Sequence, residues 1–148
     1  MPKALVIIGS KSDQDYADKC CSQLQALGIE AVIEISSAHR HPERTAQLAG
    51  EAERNGFEIV IAMAGLAAAL PGVAAAHTNL PVIGVPIPAA LGGLDSLLAI
   101  AQMPPGIPVA AVAIGSPGAK NAAVLAARIL ALKYPEVKTA LEKHRESL

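Results

Sequence analysis

Residues 4–13 read Ala4-Leu5-Val6-Ile7-Ile8-Gly9-Ser10-Lys11-Ser12-Asp13, five apolar residues that run directly into a polar, glycine-led turn. An unbroken apolar run of this length suits a strand buried on both faces, and the turn closes it. A helix should follow. Ser12 and Asp15 have capping-box spacing, Tyr16, Cys20, Leu24 and Leu27 recur at roughly helical intervals, and Gly28 stops the run. Residues 4–28 therefore form one strand-loop-helix unit.

The rest of the chain repeats it. Ala31 to Ile35 reads as a second strand, and Pro42 to Asn55 as a helix with proline in its first turn and Gly56 as its stop. Ile59 to Met63, Pro81 to Val85 and Val109 to Ile114 are further unbroken apolar runs, the pattern of buried parallel strands. Strands alternating with helices imply right-handed crossovers, and hence an α/β fold: a three-layer, doubly wound, flavodoxin-like parallel sheet. Gly118 to Leu132 reads as an Ala-rich helix. Pro135 to Ser147 reads as an extra C-terminal helix with no sheet left to cover, expected to dock on a neighbouring subunit. The Ala and Gly density from Ala62 to Ala76 would permit close approach at such a contact. No linker, repeat or low-complexity tract divides residues 1–148, so one domain is expected.

Composition removes several classes of function. With 148 residues, 52% of them hydrophobic, the chain can bury a substantial core. Twelve basic against thirteen acidic residues, with no Lys/Arg block, leave no electrostatic footprint for nucleic acid. Tyr16, Phe57 and Tyr134 are the only aromatic residues, too few for a stacking platform, so a bound heterocycle should be gripped by backbone and small side chains. Met1-Pro2-Lys3 lacks the features of a signal peptide, and a cytoplasmic location is expected. The apolar stretch Ile59 to Ala76 is broken by Gly65, Pro71 and Gly72, which argues against a membrane span. Cys20 and Cys21 have no second pair and read as two small helix residues.

Ligands of doubly wound sheets bind beyond the carboxyl ends of the strands, where this chain places its polar clusters. The turn Gly9 to Asp13 sets hydroxyls and free N–H groups at a helix N-terminus, which suits a phosphate and equally a cap without a ligand. It is neither a Walker loop nor a dinucleotide fingerprint. Ser36-Ser37-Ala38-His39-Arg40-His41-Pro42 is more informative, because it joins a proton carrier near neutral pH and a bidentate oxyanion binder to two hydroxyls. The structural alternative is a solvated loop whose Arg40 pairs with Glu43. His41 reads as leading into a helix, while His77 and His144 read as structural or exposed. No histidines have metal-ligand spacing, so no metal is expected. A serine-hydrolase elbow is absent.

Taken in order, several short motifs resemble the class I carboxyaminoimidazole ribonucleotide mutases, the PurE family of purine synthesis, from Val6 to about Leu132. They are Gly9-Ser10-Lys11-Ser12-Asp13, Ser37-Ala38-His39-Arg40 before Pro42, Ala64-Gly65 leading to Leu70-Pro71-Gly72, and Leu80-Pro81-Val82-Ile83-Gly84-Val85-Pro86. Asp95-Ser96-Leu97, Gln102-Met103-Pro104, Gly106-Ile107-Pro108-Val109 and Asn121-Ala122-Ala123 complete the series.

The resemblance implies interconversion of N-carboxyaminoimidazole ribonucleotide and 4-carboxyaminoimidazole ribonucleotide in IMP biosynthesis, without a cofactor, by a homo-octamer. It implies that Ser10, Ser12, Asp13, Ser37 and Arg40 hold the ribose phosphate of this small phosphorylated substrate, with Ala38, Gly65, Ala69 and Leu70 also lining the site. His39 is implied as the proton shuttle. One residue departs from the family pattern. A histidine usually precedes Leu-Pro-Gly in the third loop, and this chain has Ala69, with His77 eight residues on, roughly 12 Å if helical. Ala69 raises the alternative of a paralogue that carboxylates or decarboxylates another ribonucleotide-like molecule. A non-enzymatic nucleotide sensor would have no need of Ser37-Ala38-His39-Arg40.

Overall fold

The computed structural model describes residues 1–148. The first four apolar runs form strands β1 (Lys3–Ile8), β2 (Glu30–Ile35), β3 (Ile59–Gly65) and β4 (Val82–Ile87). A fifth, β5, is confined to Ala110–Ala111. All pairs are parallel, in the order β2-β1-β3-β4-β5. That is the flavodoxin-like arrangement expected from the alternating pattern.

The helices are α1 (Gln14–Ala26), α2 (Pro42–Gly50), α3 (Leu70–His77), α4 (Leu94–Ala101), α5 (Ser116–Leu130) and α6 (Pro135–Glu146). Successive strand residues feed opposite cores, which is why the inner strands β1, β3 and β4 show no polar face. Ala4, Val6 and Ile8 of β1 pack with Ala17, Cys20 and Leu24 of α1 and the alanines of α5. Leu5 and Ile7 join Ala49 of α2, Leu70 and Ala74 of α3, and Ile100 of α4. Cys20 is fully buried and Cys21 half-buried, both free; burial pushes the Cys21 thiol up to about 11 and raises that of Cys20 further.

The structure differs from the sequence reading at several points. The run Val109 to Ile114 contributes only two paired residues, because α5 begins at once and Gly118 packs against the Ala113 backbone. Helix α2 ends at Gly50 rather than Asn55, and turns lead to Gly56 at φ 85°. Ser12 does not cap α1: it lies in a short 3-10 turn, Lys11–Asp13, and the N-cap position is Asp13. Helices α3 and α4 were not foreseen. The terminal helix α6 packs on α5 of its own chain, burying Val137. The Tyr134 hydroxyl just before α6 donates to Glu58 at 2.6 Å, and Lys133 pairs with the same carboxylate. No helix is long and apolar enough to cross a membrane.

Candidate active site

The carboxyl ends of β1, β2, β3 and β4 open into one cavity of about 640 Å³. The first strand's loop contributes Gly9, Ser10, Ser12, Asp13 and Tyr16; the second Ser37, Ala38, His39 and Arg40; the third Ala64 to Leu70; the fourth Ile87, Pro88 and Ala89. Every site residue named from the sequence therefore lies at this cavity: Ser10, Ser12, Asp13, Ser37, Ala38, His39, Arg40, Gly65, Ala69 and Leu70. His41, His77 and His144 do not line it.

The second loop is built to present two side chains. Ser36 is anchored by its N–H to Ile8 at 2.9 Å and by a buried contact of its hydroxyl with Thr45 Oγ1 at 2.7 Å. Ser37 then tightens the turn: its carbonyl accepts from His41 N at 2.8 Å and its hydroxyl from Arg40 N at 3.1 Å. His39 and Arg40 stand exposed on that turn. The ion pair considered for Arg40 does not form. It is Arg44 that pairs, with Glu34 at 2.8 Å, and Arg40 has no carboxylate partner. His41 occupies the N-cap position of α2, as its place before Pro42 suggested.

In the first loop the Ser10 and Ser12 hydroxyls hydrogen-bond each other, and Asp13 N donates to Ser10 O at 3.1 Å. Burial raises the Asp13 carboxyl above its ordinary range, opposed by the Ser10 backbone. A partly dehydrated carboxylate beside paired hydroxyls is an acceptor for ligand hydroxyl groups.

The third loop works through its backbone. Leu66 and Ala68 hold φ of 54° and 42°, the only non-glycine residues with positive φ. Ala69 then returns to the right-handed region at φ −73°, ψ −20° as the N-cap position of α3, without a side-chain cap. Alternating handedness of this kind turns consecutive N–H groups toward one side. The N–H groups of Ala69 and Leu70, which both line the cavity, have no backbone acceptor, so the start of α3 keeps unpaired donors there. His77 closes the far end of α3, exposed, its ring against Val73 O at 2.9 Å. It does not replace a histidine at position 69. No three His, Cys, Asp or Glu side chains converge anywhere in the chain.

Tyr16 was not anticipated from the sequence as a lining residue, while Pro88 and Ala89 fall in the loop Pro86 to Asp95, one of the strand-end loops expected to build the site. Tyr16 follows Asp13 by three residues, one helical turn on the same face, and that spacing was the available signal. Tyr16 puts one aromatic ring on the cavity lining.

Comparison with known proteins adds the following. The family model described as AIR carboxylase matches residues 3–148. The chain is 54% identical, over its whole length and 93% of the other, to the N5-carboxyaminoimidazole ribonucleotide mutase of Saccharolobus solfataricus. It is 51% identical to the mutase of Pseudomonas aeruginosa, over 95% of this chain and 86% of that one. The crystal structure of Treponema denticola PurE superposes with a TM-score of 0.90 at 34% identity, covering 99% of this chain and 91% of that one.

Proposed function

The chain belongs to the AIR carboxylase family, and from that premise we propose how the cavity performs the family's isomerisation: transfer of a carboxylate between the exocyclic nitrogen and C4 of aminoimidazole ribonucleotide, a step of purine biosynthesis. The observation that carries the proposal is the convergence of His39, an unpaired Arg40, Asp13 and the Ser10, Ser12 and Ser37 hydroxyls from separate strand-end loops on one cavity. The paralogue reading raised by Ala69 finds no support among these relatives.

In this reading Arg40 and the serine hydroxyls take the phosphate, and Asp13 accepts the ribose hydroxyls. Ala38, Gly65, Ala69 and Leu70 form the close wall around the imidazole. The carbamate N–C bond breaks, its electron pair staying on nitrogen, and His39 supplies the proton that makes the free amine. Carbon dioxide, held in the cavity, is attacked by electron-rich C4. The C4 proton then returns to His39, so protons and electrons balance with no cofactor. Effective recapture depends on confinement, and the apolar third loop, Ala67 to Leu70, excludes water while its free N–H groups hold the carboxylate.

We propose further that the enzyme assembles as a homo-octamer and works in the cytoplasm, where a charged ribonucleotide intermediate is retained. Support for assembly comes from Leu91, Leu94 and Leu98, exposed along α4 and the loop before it, and from the exposed edge strand β5. Light scattering should then give eight times the chain mass of 15.1 kDa.

The decisive test is ultraviolet assay of the carboxylated ribonucleotide with native protein and with His39→Asn. Native protein should turn over, and the variant should bind the ligand yet lose about 10²–10⁴ in rate. A native protein that binds without turnover overturns the mutase reading, and an active variant removes His39 from the mechanism.

A further inference from the structure

Tyr16 is the one aromatic side chain at the cavity, and its surroundings fix it there. It lies in the first turn of α1, three residues after Asp13 and on the same helical face. A Cβ built on the buried Gly115 would sit 3.8 Å from Pro88 Cδ and 4.0 Å from Tyr16 Cε1. The ring therefore reaches from α1 toward the loops that follow β4 and β5, and with Pro88 it lines the cavity. Lys19 holds it from behind: its ammonium lies 6.0 Å from the ring centroid and donates to Ser116 Oγ, at the start of α5, at 2.8 Å. The Tyr16 hydroxyl takes part in none of the side-chain hydrogen bonds of the chain, unlike that of Tyr134, which donates to Glu58.

A clamped aromatic ring with an unused hydroxyl, next to a carboxylate suited to ligand hydroxyls, is a binding element. We propose that Tyr16 is a ligand-contact and specificity residue, its ring packing on the ribose of the ribonucleotide and its hydroxyl donating to a ribose oxygen, so that it reads sugar rather than phosphate. The identity of the full ligand rests on the function proposed above. The contact to its sugar is tested apart from turnover, with ribose 5-phosphate. A rigid ring loses little rotamer freedom on binding, and the wall it forms is in place before the ligand arrives.

The chain offers a direct reporter, because it has two tyrosines and no tryptophan. Tyrosine emission should be followed on titration with ribose 5-phosphate and, separately, with inorganic phosphate. Ribose 5-phosphate should change the emission of native protein and of Tyr134→Phe, and leave that of Tyr16→Phe unchanged. Inorganic phosphate should have little effect on any of them. In calorimetry Tyr16→Phe, which keeps the packing, should weaken ribose 5-phosphate about 2- to 10-fold, the loss expected for one hydrogen bond. Tyr16→Leu should weaken it further, with circular dichroism confirming the fold. An emission change that persists in Tyr16→Phe, an equal response to phosphate alone, or unaltered affinity in both variants overturns the proposal. A Tyr16-dependent response in a protein without mutase turnover supports the sugar contact while overturning the mutase reading.

Discussion

Gly84 lies mid-strand in β4, paired with Ala62 on one side and Ala111 on the other. A Cβ there would fall well inside van der Waals contact with Ile100 Cγ2, and 3.0 Å from Val109 Cγ1 and 3.2 Å from Pro71 Cβ. Ile100 is fully buried on α4 and Pro71 is buried in the first turn of α3, so neither can swing aside. Gly84→Ala must therefore push both helices off the sheet. Overpacking of this kind costs about 3 kcal/mol at the upper end of its usual range. Alanine recovers about 0.5–1 kcal/mol of chain entropy, which leaves about 2 kcal/mol, or about 4–8 °C in Tm for a chain of this size. Because α3 and α4 follow the third and fourth cavity loops, KM should rise as well. Gly50→Ala is the matched control: at the end of α2 its Cβ would meet only His77 O at 3.6 Å, and Tm should hold or rise slightly. Thermal melts by circular dichroism and steady-state assays, at one protein concentration, measure both effects. A Gly84→Ala protein that melts within about 1 °C of native with unchanged KM would refute the reasoning.

Arg40→Ala should weaken the phosphorylated substrate about 10- to 100-fold in calorimetry while a dephosphorylated analogue changes little, and equal losses would contradict the phosphate assignment. Burial raises the Asp13 carboxyl, so its proton is bound more tightly folded than unfolded; the stability this contributes is full below the ordinary carboxyl range and is lost as pH rises through the raised value. Asp13→Asn should accordingly melt higher than native at neutral pH, with the gap closing below about pH 4, and should bind ligand more weakly; a gap that widens in acid would be the wrong sign. Ala69→His should alter turnover less than tenfold in either direction if third-loop N–H groups already suffice, and a larger gain would show that they do not.

Burial on both faces made strands β1, β3 and β4 legible, because each is apolar through its buried length and the polar residues begin where burial ends, whereas the edge strand β2 carries Glu30 and Glu34 and has no buried residue. The loops that line the cavity were legible for the same reason, while Ala38, Gly65, Ala69 and Leu70 were named only through the family resemblance. What escaped has physical causes too. Helix α3, Leu-Pro-Gly-Val-Ala-Ala-Ala-His, has no polar residue before its last position, so no apolar stripe stands out to show a period; the start signal of Pro71 was present and unused. Helix α4 exposes Leu94 and Leu98 while burying Ile100, which erases the contrast that marks an amphipathic helix. Strand β5 was overread because an apolar run was taken as a buried one: Ala110, Ala111 and Ala113 are exposed, and only Ala110 and Ala111 form the strand. Tyr16 was visible only as a helix residue, since its place at the cavity depends on Pro88 and Gly115, seventy and more residues away.

The third loop joins these strands of argument. Two non-glycine residues at positive φ cost on the order of 1–2 kcal/mol each, and nothing in β3 or α3 alone requires that geometry. The cost is met by burial of Ala68 and Leu70 in the core on one side. On the other side it yields a backbone whose N–H groups stay free at the cavity. A side chain at position 69 would add a donor to a surface that already has several. Alanine there leaves Ala69 half-buried at the cavity wall with no side-chain donor of its own. Under the mechanism proposed above, Ala69 in place of a histidine changes how the carboxylate is held and leaves the proton transfer assigned to His39, which lies on the second loop and not on the third.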